Sequence, residues 1–231
     1  MNRCVFCSFK QLEAVGNVSE NLQQMRLDIV SDVVCPWCIV GFLQLQQAMR
    51  EANITAEIHW QPFELNPAMV DDGENLDSHL EAKYSSTAEQ RLQTREQLVS
   101  LGESLGFPFR FDDDMRIVNT FSAHQLLHWA AINGRQHELK ITLFHCYFAR
   151  GRDVSDHDVL ANAAVEAGLD FEEASAILED QRYATAVREA QRVSISGGIQ
   201  GVPAVIINQR ELLVGAQGVA QFKAALQQAV A

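Results

Sequence analysis

The chain has 231 residues, of which 47% are hydrophobic and 21% charged, a usage that predicts a packed core and argues against disorder. Its 30 Asp and Glu outweigh 18 Lys and Arg, for a net charge of −12, and no basic stripe offsets the sum. That balance argues against non-specific binding of nucleic acid and of anionic membrane surfaces.

Met1 to Gln24 shows no clear periodicity and carries its own Cys4-x-x-Cys7. Its short apolar run is broken by Lys10 and Glu13, so it does not read as a signal peptide. No apolar stretch approaches the ~20 residues needed to span a bilayer. The expectation is a weakly ordered extension of residues 1–24, with Met25 as an alternative start, and a cytoplasmic location. Disulfides there are usually transient and catalytic, which suits an odd count of five cysteines.

Leu27, Ile29 and Val33 alternate with Asp28 and Asp32, the pattern of a half-buried strand. Cys35 follows, then Pro36, a residue favoured at the first helical position because its missing N–H would be unpaired there anyway. Trp37 to Ala52 reads as a helix. Thr55 to Trp60 reads as a second strand with Ala56, Ile58 and Trp60 on one face. Strand, helix and strand in this order signal a parallel α/β unit, which Pro62 and Pro67 end.

From about Leu76 to Val193 helix signals follow one another. Thr87-Ala88-Glu89-Gln90 is a capping box and Gly106 a stop. Asn119 or Thr120 can cap a helix ending near Asn133-Gly134, and a further helix ends at Arg150-Gly151. Ser155 to Asp158 can cap the next, which stops at Gly168, and Asp170 to Glu173 opens another. No strand pattern interrupts them. Ala204 to Asn208 then reads as a strand, Gln209 and Arg210 as a hairpin turn, and Glu211 to Val214 as its partner. Val219 to Val230 is a C-terminal amphipathic helix with Phe222 and Leu226 four residues apart. The predicted architecture is an α/β core, residues 25–68 and 196–231, with an all-helical domain of residues 69–195 inserted in its middle.

Chemistry concentrates in Cys35-Pro36-Trp37-Cys38. Cys35 sits where a strand meets a helix, and the helix dipole there favours a thiolate. Cys38 lies about one turn on, within reach to form a disulfide or resolve a mixed one. Trp37 offers a flat apolar surface for a substrate. Gly201-Val202-Pro203 precedes a strand. A cis bond at Pro203 would expose the backbone of Val202 for pairing with an extended substrate.

These runs, together with Ser31 to Gly41, His59 to Pro67, Asn119-Thr120, His124 to Trp129 and Val214 to Gln217, resemble the thioredoxin superfamily. More closely, they resemble the FrnE-like branch of the DsbA family, related to 2-hydroxychromene-2-carboxylate isomerases. The resemblance covers Met25 to Ala231. It implies a thioredoxin-like fold with a helical insertion, attack by Cys35, resolution by Cys38 and a cis Pro203. It implies a substrate cleft that Pro36, Trp37, Phe63, Asn119, His124 and Val202 could line. No resident cofactor or metal is implied. Glutathione is a co-substrate candidate, because the isomerase relatives use it and usually lack the resolving cysteine. Partners would be protein or small thiol and disulfide substrates and a thiol recycling system.

Competing readings remain for several residues. Cys35 and Cys38 could form half a zinc site with Cys4 and Cys7, but a strand-to-helix junction suits redox use better. Cys146, in an apolar helical stretch, reads as a buried structural thiol. His124 and His128 share metal-like spacing but lack the Glu of the zinc-protease pattern, since Gln125 stands there. Asp32 reads as a solvated strand-end residue or a proton acceptor for Cys38. Two further functions stay open: a glutathione-dependent isomerase or transferase of the kappa type, and a non-catalytic binding or chaperone module.

Overall fold

In the computed structural model of the protein, residues 25–230 are described. The expectations for Met1 to Gln24, Cys4 and Cys7 among them, concern residues outside that range. Strand β1 (Met25–Ser31) leads through a tight turn into helix α1 (Pro36–Ala52), which Asn53 closes in the left-handed conformation. Strand β2 (Ala56–Pro62) returns parallel to β1, with Ile29 opposite Trp60.

The middle of the chain supplies β3 (Glu74–Asn75), α2 (Leu76–Tyr84), α3 (Ala88–Leu105) and β4 (Arg116–Ile117). It continues with α4 (Phe121–Ile132) and α5 (Gln136–Phe144), then a π-helical turn (His145–Ala149). Then come α6 (His157–Glu166), α7 (Phe171–Asp180) and α8 (Ala184–Ser196). The chain ends with β5 (Ala204–Ile207), β6 (Glu211–Val214) and α9 (Val219–Ala229), the last lying against α1. Strand order is β2-β1-β5-β6, with β5 antiparallel to both neighbours. This is the thioredoxin-like sheet with a largely helical segment between its two halves.

The caps read from the sequence form. Thr87 and Gln90 make a reciprocal capping box, and Asp156 and Asp170 each accept a first-turn backbone N–H. Three features depart from the sequence reading. A two-stranded ladder, β3 with β4, interrupts the helical run; strands of two residues are too short to show a period. The helical stretch after Asp170 is two helices, broken where Gln181 takes a φ of 51° with no Gly or Pro to announce it. Strand β1 is central rather than half-solvated. Its Asp28 is only 6% exposed, held by Arg26 (2.7 and 2.8 Å) and Gln61 (2.9 Å), so the polar positions of the alternation still face inward. Helix α8 packs over β2 at that side of the sheet.

One buried cluster runs from Leu27, Ile29, Phe42 and Trp60 through Phe144 to Leu160 and Ile177. Sheet and helices therefore share a continuous apolar interior. Trp60 Nε1 donates to His137 Nδ1 at 3.3 Å, and the two rings stack.

Burial holds His128, His137 and His145 below the ordinary histidine pKa. Their folded values lie below the unfolded one of about 6.5, so the unfolded chain takes up protons first. Their stabilising contribution is complete above that value and is lost as pH falls through the folded values. Thermal melts should show Tm falling steadily from pH 7 to pH 5, and the fall should shrink in His137→Gln. An equal fall in that variant would contradict the assignment.

Candidate active site at the start of helix α1

The turn before α1 is built by backbone bonds. Cys35 N–H donates to the Asp32 carbonyl (3.4 Å), and Cys38 N–H donates to the Cys35 carbonyl (3.0 Å). Cys35 is the N-cap with extended φ and ψ (−94°, 110°), and Pro36 is the first helical residue. Proline fixes φ and removes a donor that the helix could not have used. Cys35 is 4% exposed and Cys38 not at all. The Cys35 thiol donates to the Val202 carbonyl at 3.8 Å, across the chain from the other half of the fold. The Val202–Pro203 peptide is cis, as the resemblance implies.

Close approach of these elements depends on a missing side chain. A Cβ at Gly41, one turn into α1, would lie 3.1 Å from Pro203 Cγ and 3.5 Å from Ala216 Cα. Gly41 lets the helix sit directly against the proline loop, which places Val202 over Cys35.

The two thiols titrate as a pair. The hydrogen bond to Cys38 and burial push Cys35 well above the ordinary thiol range. Burial pushes Cys38 upward as well, but it is outweighed by the bond from Cys35, the charge of Lys140 and the Ser31 hydroxyl, and Cys38 ends low. The first proton therefore leaves the pair easily and the second with difficulty, one anion being shared by two sulfurs.

Beneath the sulfurs lies a buried polar group. Lys140, from α5, is 1% exposed; its Nζ donates to the Ser31 carbonyl at 3.4 Å and lies 5.4 Å from the Trp60 ring and 5.0 Å from the Phe144 ring. Asp32 is wholly buried rather than solvated. Its Oδ2 accepts from Leu65 N–H (2.7 Å), and its Oδ1 is 3.5 Å from His124 Nε2. Burial opposes its ionisation, but the neighbouring His124 imidazole and the bond from Leu65 N–H hold its carboxyl below the usual range.

A cavity of about 420 Å³ opens beside Cys35. Pro36, Trp37 and Val202 line it, with Leu65, Leu80, Leu98 and Phe148 making much of its apolar wall and Lys83, Arg91 and Arg95 at its polar side. Cys38 is not among the lining residues, so the pair shows one sulfur to the cavity and keeps the other behind it. The other sequence-nominated residues stand elsewhere. Phe63 is buried with Val30, Ile199 and Ala204. Asn119 donates to the Met69 carbonyl (3.3 Å) and accepts from Phe121 N–H (2.8 Å). His124 Nε2 lies 3.0 Å from the Phe63 carbonyl, and His128 packs on Tyr183. Pro203 is buried behind Val202. Cys146 is buried and its thiol pushed up by that burial.

Sequence reasoning missed Lys140. A signal existed: Gln136, Lys140 and Phe144 fall on one helix face, and a lysine four residues before a core phenylalanine is out of place on an apolar face.

A family model, the DSBA-like thioredoxin domain, matches residues 26–227. The crystal structure described as a probable DsbA oxidoreductase of Streptomyces coelicolor is 34% identical, covering 89% of this chain and 90% of that one with a TM-score of 0.83. The protein YwbO of Bacillus subtilis strain 168, itself uncharacterised, is 27% identical over 87% of this chain and 96% of its own length. The cytosolic disulfide reductase DsbM of Pseudomonas aeruginosa, solved with glutathione, shares the fold at 16% identity, 88% and 98% coverage and a TM-score of 0.57.

Gly41→Val should force Pro203 and Val202 away from Cys35. Misplaced reacting groups lose rate steeply, so disulfide reduction should slow by about tenfold or more with the circular dichroism spectrum unchanged. Insulin turbidity measures the rate; an unchanged rate would show that the contact does not matter.

Proposed function

Because the chain belongs to the DSBA-like thioredoxin domain family, we propose that it is a dithiol–disulfide oxidoreductase in which Cys35 attacks and Cys38 resolves. The observation that carries this assignment of roles is the asymmetry of the pair. Cys35 faces the cavity and Cys38 does not, while a shared anion makes either sulfur a nucleophile once a proton shifts between them.

In the reducing direction the Cys35 thiolate attacks a substrate disulfide, RS–SR′. The Cys35–SR bond forms, the S–S bond breaks, and R′S⁻ leaves with the electron pair and takes a proton. Cys38, as thiolate, then attacks Cys35 Sγ. The Cys35–Cys38 disulfide forms, and RS⁻ leaves to be protonated. The oxidising direction is the reverse. A separate thiol pair, such as that of a recycling reductase or glutathione, restores the starting state.

The apolar cavity supports substrates that present an apolar surface at a thiol or disulfide, whether a peptide segment or a small molecule. Trp37 and the Val202 backbone would hold them. Among the described residues no helix is long and apolar enough to cross a membrane. Action in the cytoplasm, with glutathione as co-substrate, is supported by the likeness to a cytosolic reductase solved with that ligand.

A second reading is favoured by the same cavity. Its volume lies in the range of small-ligand sites, which suits a glutathione-dependent isomerase acting on an organic molecule. Substitution separates the two. Cys35→Ser and Cys38→Ser should each lower insulin reduction and refolding of a scrambled disulfide protein by about a hundredfold or more. Turnover of a small substrate by Cys38→Ser with glutathione would favour the isomerase. Full disulfide exchange by both variants would refute the dithiol mechanism.

A further inference from the structure

We propose that the cavity wall supplied by α2 and α3 selects substrates by charge, Lys83, Arg91 and Arg95 favouring a thiol or disulfide whose organic part carries a carboxylate. The proposal rests on the dithiol reading above and names a substrate class for it.

The wall is sorted by helical period. Leu76, His79, Leu80 and Lys83 of α2 line the cavity, as do Arg91, Thr94, Arg95 and Leu98 of α3. Each set has the spacing i, i+3, i+4, i+7, which is one face of a helix. The two helices hold three bases, Lys83, Arg91 and Arg95, and five acids, Asp77, Glu81, Glu89, Glu96 and Glu103. All three bases line the cavity and none of the five acids does. Among the described residues no Asp or Glu lines it from any element. In a chain with 30 acids and 18 bases, this wall runs against the composition. Core packing does not dictate it either, since α2 has no buried residue.

The bases keep positive charge to spare. Lys83 Nζ donates to the Leu65 carbonyl at 2.9 Å and to Asn66 Oδ1 at 2.6 Å, both uncharged, and makes no ion pair among the described residues. Asp77 Oδ1 serves two guanidinium groups at once, 2.8 Å from Arg95 Nη2 and 3.4 Å from Arg91 Nε. The Arg91 Nε is buried and makes no hydrogen bond. Glu81 lies 3.5 Å from Arg91 Nη2, with 69% of its side chain exposed. Three cations thus share two carboxylates, and both carboxylates stand off the cavity face. The side chains of Arg91 and Arg95 are largely buried, so an anion in the cavity meets them where water and salt screen little. Leu80, Leu98, Phe111 and Phe148 make the wall apolar elsewhere. A sulfur compound with an apolar link between its sulfur and its carboxylate matches both parts of the wall.

The test exchanges charge on the substrate and on the wall. Reduced full-length protein is mixed with excess 3,3′-dithiodipropionate, which carries two carboxylates, or with cystamine, which carries two ammonium groups. Acid quenching, alkylation and mass spectrometry follow formation of the Cys35–Cys38 disulfide. Lys83→Glu should slow the reaction with the dicarboxylate and speed that with the diamine, shifting the ratio of rates by about tenfold. Arg95→Gln should shift the ratio the same way by about threefold, and Lys83→Arg should keep the wild-type ratio. Lys223, which pairs with Glu51 on the surface, controls for net charge. Lys223→Glu changes the total as much as Lys83→Glu does and should leave the ratio within about twofold of wild type. A second series uses peptide disulfides with Glu or Lys beside the cysteine. A shift confined to the small disulfides identifies an acidic small molecule, and a shift in the peptides identifies an acidic segment; either supports the proposal. An unchanged ratio in both series, both rates falling together in Lys83→Glu and Arg95→Gln, or an equal shift in Lys223→Glu would overturn it. Failure of the wild type to form the Cys35–Cys38 disulfide with any compound would instead overturn the dithiol reading.

Discussion

One proton shared by two buried sulfurs is the interaction on which this protein depends. Each thiol alone would be driven neutral by an interior that disfavours charge. Held within hydrogen-bonding reach at the start of a helix, the pair reaches a compromise in which one sulfur keeps the proton and the other holds the charge. The surroundings serve that compromise. Pro36 fixes the helix start, Gly41 lets the proline loop close over Cys35, and the Val202 carbonyl lies 3.8 Å from the Cys35 sulfur.

The charge balance beneath the pair is unusual for its origin. The helical segment gives up Lys140 and His124 to the floor of a site whose sulfurs belong to the sheet unit. A lysine pKa drawn from 10.5 to about 8 corresponds to a stability cost on the order of 3 kcal/mol near neutrality, at about 1.4 kcal/mol per unit. A fold keeps so costly a group only where something compensates, and a continuous apolar core from Leu27 to Ile177 supplies the reserve. Sheet and helices are thus tied by packing and by electrostatics at the same place.

Much of this was legible in the sequence, for identifiable reasons. Elements announced by local chemistry appeared where expected: Pro36 opening α1, the Thr87–Gln90 box, the Asp156 and Asp170 caps, the hairpin at Gln209. Features set by partners distant in the chain did not. The β3–β4 ladder pairs two residues with two others some forty positions away. Asp28 and Asp32 looked solvated because alternation reports polarity, and only the fold shows that Arg26 and Gln61 hold Asp28 inside and that Leu65 N–H bonds Asp32 with His124 3.5 Å away. The cysteine pair was plain from its spacing. Its proton balance was not, since Lys140 lies more than a hundred residues along the chain.

The bond from the Cys35 thiol to the Val202 carbonyl carries a last consequence. While the enzyme waits, that carbonyl is occupied by its own cysteine, and the loop offers little to a passing chain. In the proposed exchange, covalent capture of a substrate sulfur removes that S–H and leaves the oxygen open to a substrate backbone N–H, so that hold and release would follow the oxidation state of a single sulfur without any hinge having to move.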